Sequence, residues 1–264
     1  MRLICGFTIT NMLYLETLLS KNFTPIQLSE LESASLMDRK DKKYVINLAI
    51  VNTFLLELSK EYSILEIDSK RMFQYSSTYF DTKDLRLFKM HHNGKFSRYK
   101  VRFRSYLDSK STYFEIKLKD NHRRTSKSRI ISDSADNYII NLEEKNHLEN
   151  TTPLIANDLQ EILTVEYDRI TLINSDKTER ITIDLNLCFK NKNYVEAFEK
   201  IAIVEIKQLK ITNSLANIFL KKSKIREGGL SKYCLGIILF FENVAHNRFK
   251  HKFNKLYKPY KLVS

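Results

Sequence analysis

Three cysteines in 264 residues, Cys5, Cys188 and Cys234, leave no pair at disulfide or zinc spacing. Neither a disulfide framework nor a thiolate metal site is therefore expected, and a reducing, cytoplasmic setting is favoured. Long apolar runs are also scarce: residues 234–241 form the longest one beyond the N-terminal stretch, far below the roughly 20 residues of a membrane-spanning helix. The opening MRLICGFTITNMLYLETLLS is interrupted by Thr8, Thr10, Asn11 and Glu16, and no small-residue cleavage site follows. A short amphipathic helix is expected there instead of a signal peptide, with Met12 as a second candidate start. No Ser/His/Asp or Cys/His set stands out, which disfavours covalent catalysis by the protein. The last shortage is negative charge, 31 Asp plus Glu against 44 Lys plus Arg, for a net +13. That surplus favours anionic partners: nucleic acid, a membrane surface or phosphorylated molecules.

What is present centres on residues 98–119, RYKVRFRSYLDSKSTYFEIKLK. Read two at a time, Arg98, Lys100, Arg102 and Arg104 share one face while Tyr99, Val101 and Phe103 share the other. The alternation resumes with Tyr113, Glu115, Lys117 and Lys119 against Phe114, Ile116 and Leu118, so an antiparallel hairpin with one cationic and one apolar face is expected. Like charges roughly 6 to 7 Å apart on such a face repel by about 0.6 kcal/mol in water and by about 2.5 kcal/mol in a partly enclosed site. An open surface tolerates that repulsion; an enclosed one needs a bound polyanion.

Around this hairpin, helices are expected at 13–20, 28–36, 47–60, 82–92 and 213–224, with Pro25 breaking the first pair and Thr82 capping the fourth. The neighbours His91 and His92 face different ways in a helix and so do not chelate one metal together. Strands are expected at 62–68, 71–81, around Lys127 and Arg129, and at 164–172, 179–188 and 201–209. Residues 133–163 read as a polar excursion. In 179–188, Arg180, Thr182, Asp184 and Asn186 oppose Ile181, Ile183, Leu185 and Leu187, while Glu205 and Lys207 share a face in the next strand. The fold class expected is α+β, an eight-stranded antiparallel β-barrel with flanking helices, in which inward charged faces make a tunnel lined with cations.

The motifs DRKDKKYV, YFDT, RYKVRFRSY, FEIKLK, TSKSR, RITIDLN, VEIK and SKY occur in that order. In this the chain resembles the VTC domain, the polyphosphate polymerase domain of the vacuolar transporter chaperone complex, within the triphosphate tunnel (CYTH-like) superfamily. The resemblance implies a helical lead-in at 1–27, a tunnel domain at 28–240 and a basic tail at 241–264. It implies transfer of the ATP γ-phosphate to polyphosphate with Mn2+ or Mg2+. Lys43, Arg102, Arg104, Lys117 and Lys127 match the family's phosphate ligands, with Arg39 beside them, and Arg180 or Arg169 matches a later arginine. Glu205 matches the metal ligand, and Ser231 with Lys232 a loop near the tunnel end. His91 stands where the eukaryotic family has arginine. Lys119, Arg129 and Lys207 are further candidate substrate contacts, and Arg98 and Lys100 steering charges. Glu115 is a second candidate metal ligand or a counter-charge for the lysines, and Asp184 is expected to orient neighbouring cations.

Two other readings stand beside the polymerase. The same tunnel can deliver phosphate to water, as a tripolyphosphatase or nucleoside triphosphatase. A non-enzymatic binder of polyphosphate or nucleic acid ranks third, because Tyr99, Phe103 and Phe114 fall on the apolar face instead of being free to stack on bases. Nucleic acid is thus disfavoured as a partner, ATP and polyphosphate are favoured, and the basic tail is expected to be solvated instead of membrane-bound.

Overall fold

The computed structural model describes residues 9–33, 40–122, 124–133, 138–210, 212–229, 231–250 and 253–254. Arg39 and Cys5 lie outside them. The chain opens with α1 (Ile9–Asn22), β1 (Pro25–Ile26), α2 (Leu28–Ser33), β2 (Lys40–Asn47), α3 (Val51–Leu58) and β3 (Tyr62–Leu65). Next come β4 (Phe73–Thr82), α4 (Arg86–His92), β5 (Arg98–Tyr106), β6 (Ser111–Lys119), β7 (Thr125–Ser132) and α5 (Leu142–Thr151). The last third supplies β8 (Leu159–Asn174), β9 (Glu179–Lys190), β10 (Val195–Phe198), β11 (Ile201–Gln208), α6 (Leu215–Lys222) and α7 (Lys232–Phe240). No helix among the described residues is long and apolar enough to cross a membrane.

Eight strands form one path in the order β2-β11-β9-β8-β4-β5-β6-β7, every neighbouring pair antiparallel. The closed barrel is not what the described residues form: β2 and β7 end the path and do not pair with each other. Both end strands carry exposed charged or polar side chains, Lys and Asp in KDKK of β2 and Lys, Arg and Ser in TSKSR of β7, a composition that blunts sheet edges instead of joining them. The sheet nonetheless curls into a trough. Lys43 on β2 acts electrostatically on Lys100 on β5, and Glu205 and Lys207 on β11 act on Lys117 on β6.

The convex face is apolar because the period of two sorts it so. Val101, Phe103, Phe114 and Ile116 of the hairpin are at most 3% exposed and pack with Leu87 and Leu148. Further round, Ile181, Ile183, Leu185, Val204 and Ile206 pack with Leu15, Leu19, Phe54, Leu55 and Leu58 of α1 and α3. Each such side chain contributes about 1.5 to 3 kcal/mol of burial.

Two departures from the periodic reading shape the interior. Asn186 adopts a left-handed φ of 51° where the β8–β9 register shifts, and its side chain donates to Asp168 at 2.6 Å. This β-bulge inverts the parity. Leu187 and Phe189 therefore join the concave side instead of continuing the row of Ile181, Ile183 and Leu185. The second departure is α7, a helix that no helical period in the sequence announces and that begins at Lys232, beside the loop expected at Ser231 and Lys232. It fills the concave side at that apolar end: Tyr233, Cys234, Leu235 and Ile237, at most 4% exposed, pack with Leu163, Val165, Leu187, Phe189, Ile201 and Ile203. Asp81 anchors it by accepting from the Tyr233 hydroxyl while also accepting from the Leu87 and Phe88 N–H groups at 2.8 and 3.0 Å. Smaller differences are that β8 begins at Leu159, inside the expected polar excursion, and that β10 was not foreseen.

Gly236 lets α7 approach, since a Cβ there would lie 2.8 Å from Leu163 Cδ2 and 3.1 Å from Phe189 Cδ1. Gly236→Leu is expected to cost about 1 to 3 kcal/mol by overpacking, read as a lower urea midpoint at unchanged slope.

Candidate active site

The concave face gathers cations from six strands and from the start of α7. β2 brings Lys43, β5 Lys100, Arg102 and Arg104, β6 Lys117, β7 Lys127 and Arg129, β8 Arg169, β11 Lys207, and α7 Lys232. Register aligns them: Lys100 opposes Lys117, Arg102 opposes Glu115, and Lys117 opposes Lys127.

Two buried carboxylates, Glu115 and Asp184, and the partly buried Glu205 are set among these cations. Glu115, 1% exposed, accepts from Arg102 Nε at 2.9 Å and Nη2 at 2.6 Å, is paired with Lys127, and lies 3.9 Å from Arg104 Nε. Burial opposes its ionisation, but Arg102, Arg104 and Lys127 hold it well below the usual carboxylate range. Asp184 accepts from Arg169 Nε at 2.6 Å and Nη2 at 2.9 Å and from Lys232, whose charges likewise outweigh its burial. Glu205 lies 2.5 Å from Lys43 Nζ and 3.7 Å from Lys207 Nζ, and these lysines keep it ionised despite burial.

Tyrosines complete the frame. Arg102 donates to the Tyr79 hydroxyl at 3.0 Å, and Arg104 to that of Tyr167 at 3.1 Å. The Arg169 guanidinium lies 5.1 Å from the Tyr75 ring centre and 5.2 Å from that of Tyr167, and these two rings stack 5.4 Å apart. Lys232 Nζ is 4.4 Å from the Tyr167 ring and the Arg129 guanidinium 4.7 Å from that of Tyr113, within cation–π range. Burial raises the Tyr167 phenol, but Arg104, Arg169 and Lys232 pull it down to about 8. The sequence reading missed these roles, although Tyr75, Ser77 and Tyr79 alternate on one face of β4 and were there to be read.

Lys100 and Lys117 differ from the other cations. They oppose each other directly, and among the described residues neither has a hydrogen-bond or ion-pair partner. Burial lowers both; Lys117 is pushed down to about 7, with Arg102, Lys100 and Lys207 adding to the fall and Glu205 opposing it. Facing lysines at cross-strand distance repel by about 2 to 3 kcal/mol at a protein-like dielectric. An anion between them removes that cost.

The remaining expected residues take different places. Arg180 donates to the Leu31 carbonyl and so holds α2, whereas Arg169 joins the cluster; of the two arginines, geometry favours Arg169. Ser231 accepts from the Cys234 N–H and caps α7. Lys119 ends β6 opposite Arg98. His91 Nε2 lies 3.1 Å from the Tyr99 carbonyl, and burial, then Lys100, lowers it to about 3. A neutral ring that gives its N–H to a backbone carbonyl offers no proton to phosphate. A surface groove of about 970 Å3, lined by Lys83, Phe88, Lys89, Tyr194 and Phe241 among others, contains none of the trough cations.

A divalent ion meets a sparse donor set. Among the described residues no three His, Cys, Asp or Glu groups converge. Glu115 is enclosed by Arg102, Arg104 and Lys127, whose charge it balances. Glu205 fits one position of a hard ion's shell, provided phosphate oxygens and water supply the rest, as is common for Mg2+.

Among family models, that of the VTC domain matches residues 38–241. No curated protein matches the chain. Among solved structures, an adenylate cyclase candidate from Vibrio parahaemolyticus is similar at 14% identity and TM-score 0.45, over 74% of this chain and 95% of that one. The PH1819 protein from Pyrococcus horikoshii OT3 is similar at 13% identity and TM-score 0.43, over 76% and 98%. The Hippeastrum protein HpAC1, described as having a dominant triphosphatase activity, is similar at 11% identity and TM-score 0.45, over 75% and 95%.

Lys117 sets a pH signature. Its proton leaves the anion-free protein as pH rises through about 7, so affinity for tripolyphosphate is expected to fall above that pH by up to about tenfold per unit. Tyr167, ionising near 8, steepens the loss. Folding stability without anion moves oppositely: the lysine is depressed only when folded, so the unfolded chain holds more protons there and stability rises with pH. Titration calorimetry from pH 6 to 9 reads the affinity, and Lys117→Arg should flatten the slope between about pH 7 and 8, because guanidinium keeps its charge.

Proposed function

The chain belongs to the VTC domain family, and we propose from that premise that it is a phosphotransferase that moves the ATP γ-phosphate onto polyphosphate in the cationic trough. The observation that carries the reading is the opposed pair Lys100 and Lys117, left without an ion-pair partner among the described residues in a trough where Glu115, Asp184 and Glu205 pair directly with other cations. Phosphoryl transfer asks little covalent chemistry of a protein; alignment and neutralisation of spread negative charge do most of the work.

In this reading Arg102 and Arg104 clamp phosphate oxygens through planar guanidinium forks. Glu115 and the Tyr79 and Tyr167 hydroxyls fix those forks before substrate arrives. Lys43, Lys117 and Lys127 add point charges, Lys100 extends the row, and Arg169 and Lys232 hold the far side against Tyr167. Glu205 would hold Mn2+ or Mg2+ jointly with the phosphates; when bound, the ion neutralises phosphate oxygens and stabilises departing ADP. Arg129, Lys119 and Lys207 contribute to the field that draws the polyanion in.

A second reading keeps the trough and ends the reaction on water. The feature favouring it is α7, which closes one end and leaves a site suited to a short oligophosphate.

Pure protein with ATP and Mn2+ should yield ADP and long polyphosphate. Orthophosphate without polymer selects the hydrolase, and no turnover with either metal or a short primer refutes both. Arg104→Ala and Glu205→Gln should each lower kcat/KM by about a hundredfold or more with unchanged circular dichroism; full activity in both would mean the site is misplaced.

A further inference from the structure

We propose that the nucleobase of the triphosphate donor rests on an apolar lip at the Tyr113 end of the wall formed by β5, β6 and β7, against Tyr106, Tyr113 and Ile131. The proposal rests on the ATP reading above and adds to it a place for the part of the nucleotide that the cations do not touch.

The inward side chains of this wall change character along the strands, and register sorts them into cross-strand rows. One row holds Lys100, Lys117 and Lys127, and the next holds Arg102, Glu115 and Arg129. In the row after that Arg104 faces Tyr113 and Tyr113 faces Ile131; beyond it Tyr106 pairs with Tyr75 of β4. Successive inward residues of a strand lie about 6.6 Å apart. Positive charge thus gives way to rings and an aliphatic chain within one such step on β5 and β7.

These apolar side chains are not core. Ile131 is 67% exposed although it continues the face of Lys127 and Arg129, and Tyr106 and Tyr113 are half-buried. On the opposite face of the same strands Phe103 and Phe114 are fully buried. The rings are also held in place. Tyr106 lies tilted 4.9 Å from Tyr75 and edge-on 5.7 Å from Tyr113, and the Arg129 guanidinium is 4.7 Å from the Tyr113 ring centre. Rings fixed in this way have little freedom left to lose when a base stacks on them, and every base has a π face to offer.

Inorganic polyphosphate is charged along its whole length and gains nothing from an apolar lip. A nucleoside triphosphate matches the gradient, with a flat ring for the lip and phosphates for the rows that begin at Arg104 and continue to Lys100 and Lys117. Ile131, otherwise left in water, is covered when the base is in place.

The test compares β,γ-imido-ATP with imido-bridged tripolyphosphate, which carries the phosphates without the base. Binding of each is read by titration calorimetry with Mn2+ for the unaltered protein, Tyr113→Leu and Ile131→Ser. Tyr113→Leu should weaken the nucleotide by about tenfold or more and Ile131→Ser by about threefold, while both hold the base-free anion within about twofold. Ile131 is exposed enough that its replacement leaves the fold intact whatever Tyr113→Leu does. Equal weakening of both ligands would make these residues supports of the cations, and no change in either would put the base elsewhere; each result overturns the proposal and leaves the transfer reading standing. Failure of the unaltered protein to bind either ligand would overturn that reading, and this proposal with it.

Discussion

Cations crowded on a concave surface repel one another, and most of the trough's construction answers that repulsion. Each of three carboxylates serves two or more cations: Glu115 serves Arg102, Arg104 and Lys127; Asp184 serves Arg169 and Lys232; Glu205 serves Lys43 and Lys207. Buried charges are tolerated when paired and further hydrogen-bonded, and the tyrosine hydroxyls and rings supply the additional contacts. The outcome is a set of guanidinium groups with little freedom left to lose when an anion arrives. Such preorganisation favours charge stabilisation over mere attraction.

The same frame shows why charge density alone does not identify the site. Arg180 is a strand arginine of the expected parity, yet its guanidinium is committed to a backbone carbonyl of α2. Arg169, which matches the motif no better or worse than Arg180, is the one stacked on Tyr75 and Tyr167. Distinguishing them required knowing what lies across the sheet, which one strand's periodicity does not contain.

Much of the wall was legible in the sequence. The hairpin of Arg98–Tyr106 and Ser111–Lys119 obeys a strict period of two, so its faces and its antiparallel pairing follow from alternation, whereas the direct opposition of Arg102 and Glu115 is a matter of register. The role of Asp184 in orienting cations was legible too, from an acid placed among basic residues on one strand face. Closure of the sheet was not legible, because the pattern fixes which face is buried but not whether the end strands meet. Nor was α7: KYCLGIILF is apolar nearly all round, and a short apolar run carries no helical period when every side is buried. Tyr75, Tyr79 and Tyr167 have the spacing of core residues, yet the Tyr79 and Tyr167 hydroxyls accept from arginines and the Tyr75 ring lies against Arg104 and Arg169.

The bulge at Asn186 divides the work of β9. On one side of it the strand shows the interior Thr182 and Asp184; on the other it shows Leu187 and Phe189, against which α7 rests. A regular strand has one inside and one outside along its whole length. By spending one residue on a left-handed turn, this one presents a wet surface and a dry surface to the same interior in succession. The border between polar chamber and sealed floor is therefore written in a backbone angle instead of in a change of side-chain pattern. A regular strand through that position, with every residue kept and Asn186 extended, would erase the border, turning the floor's leucine and phenylalanine toward the convex side while leaving every cation of the wall in place.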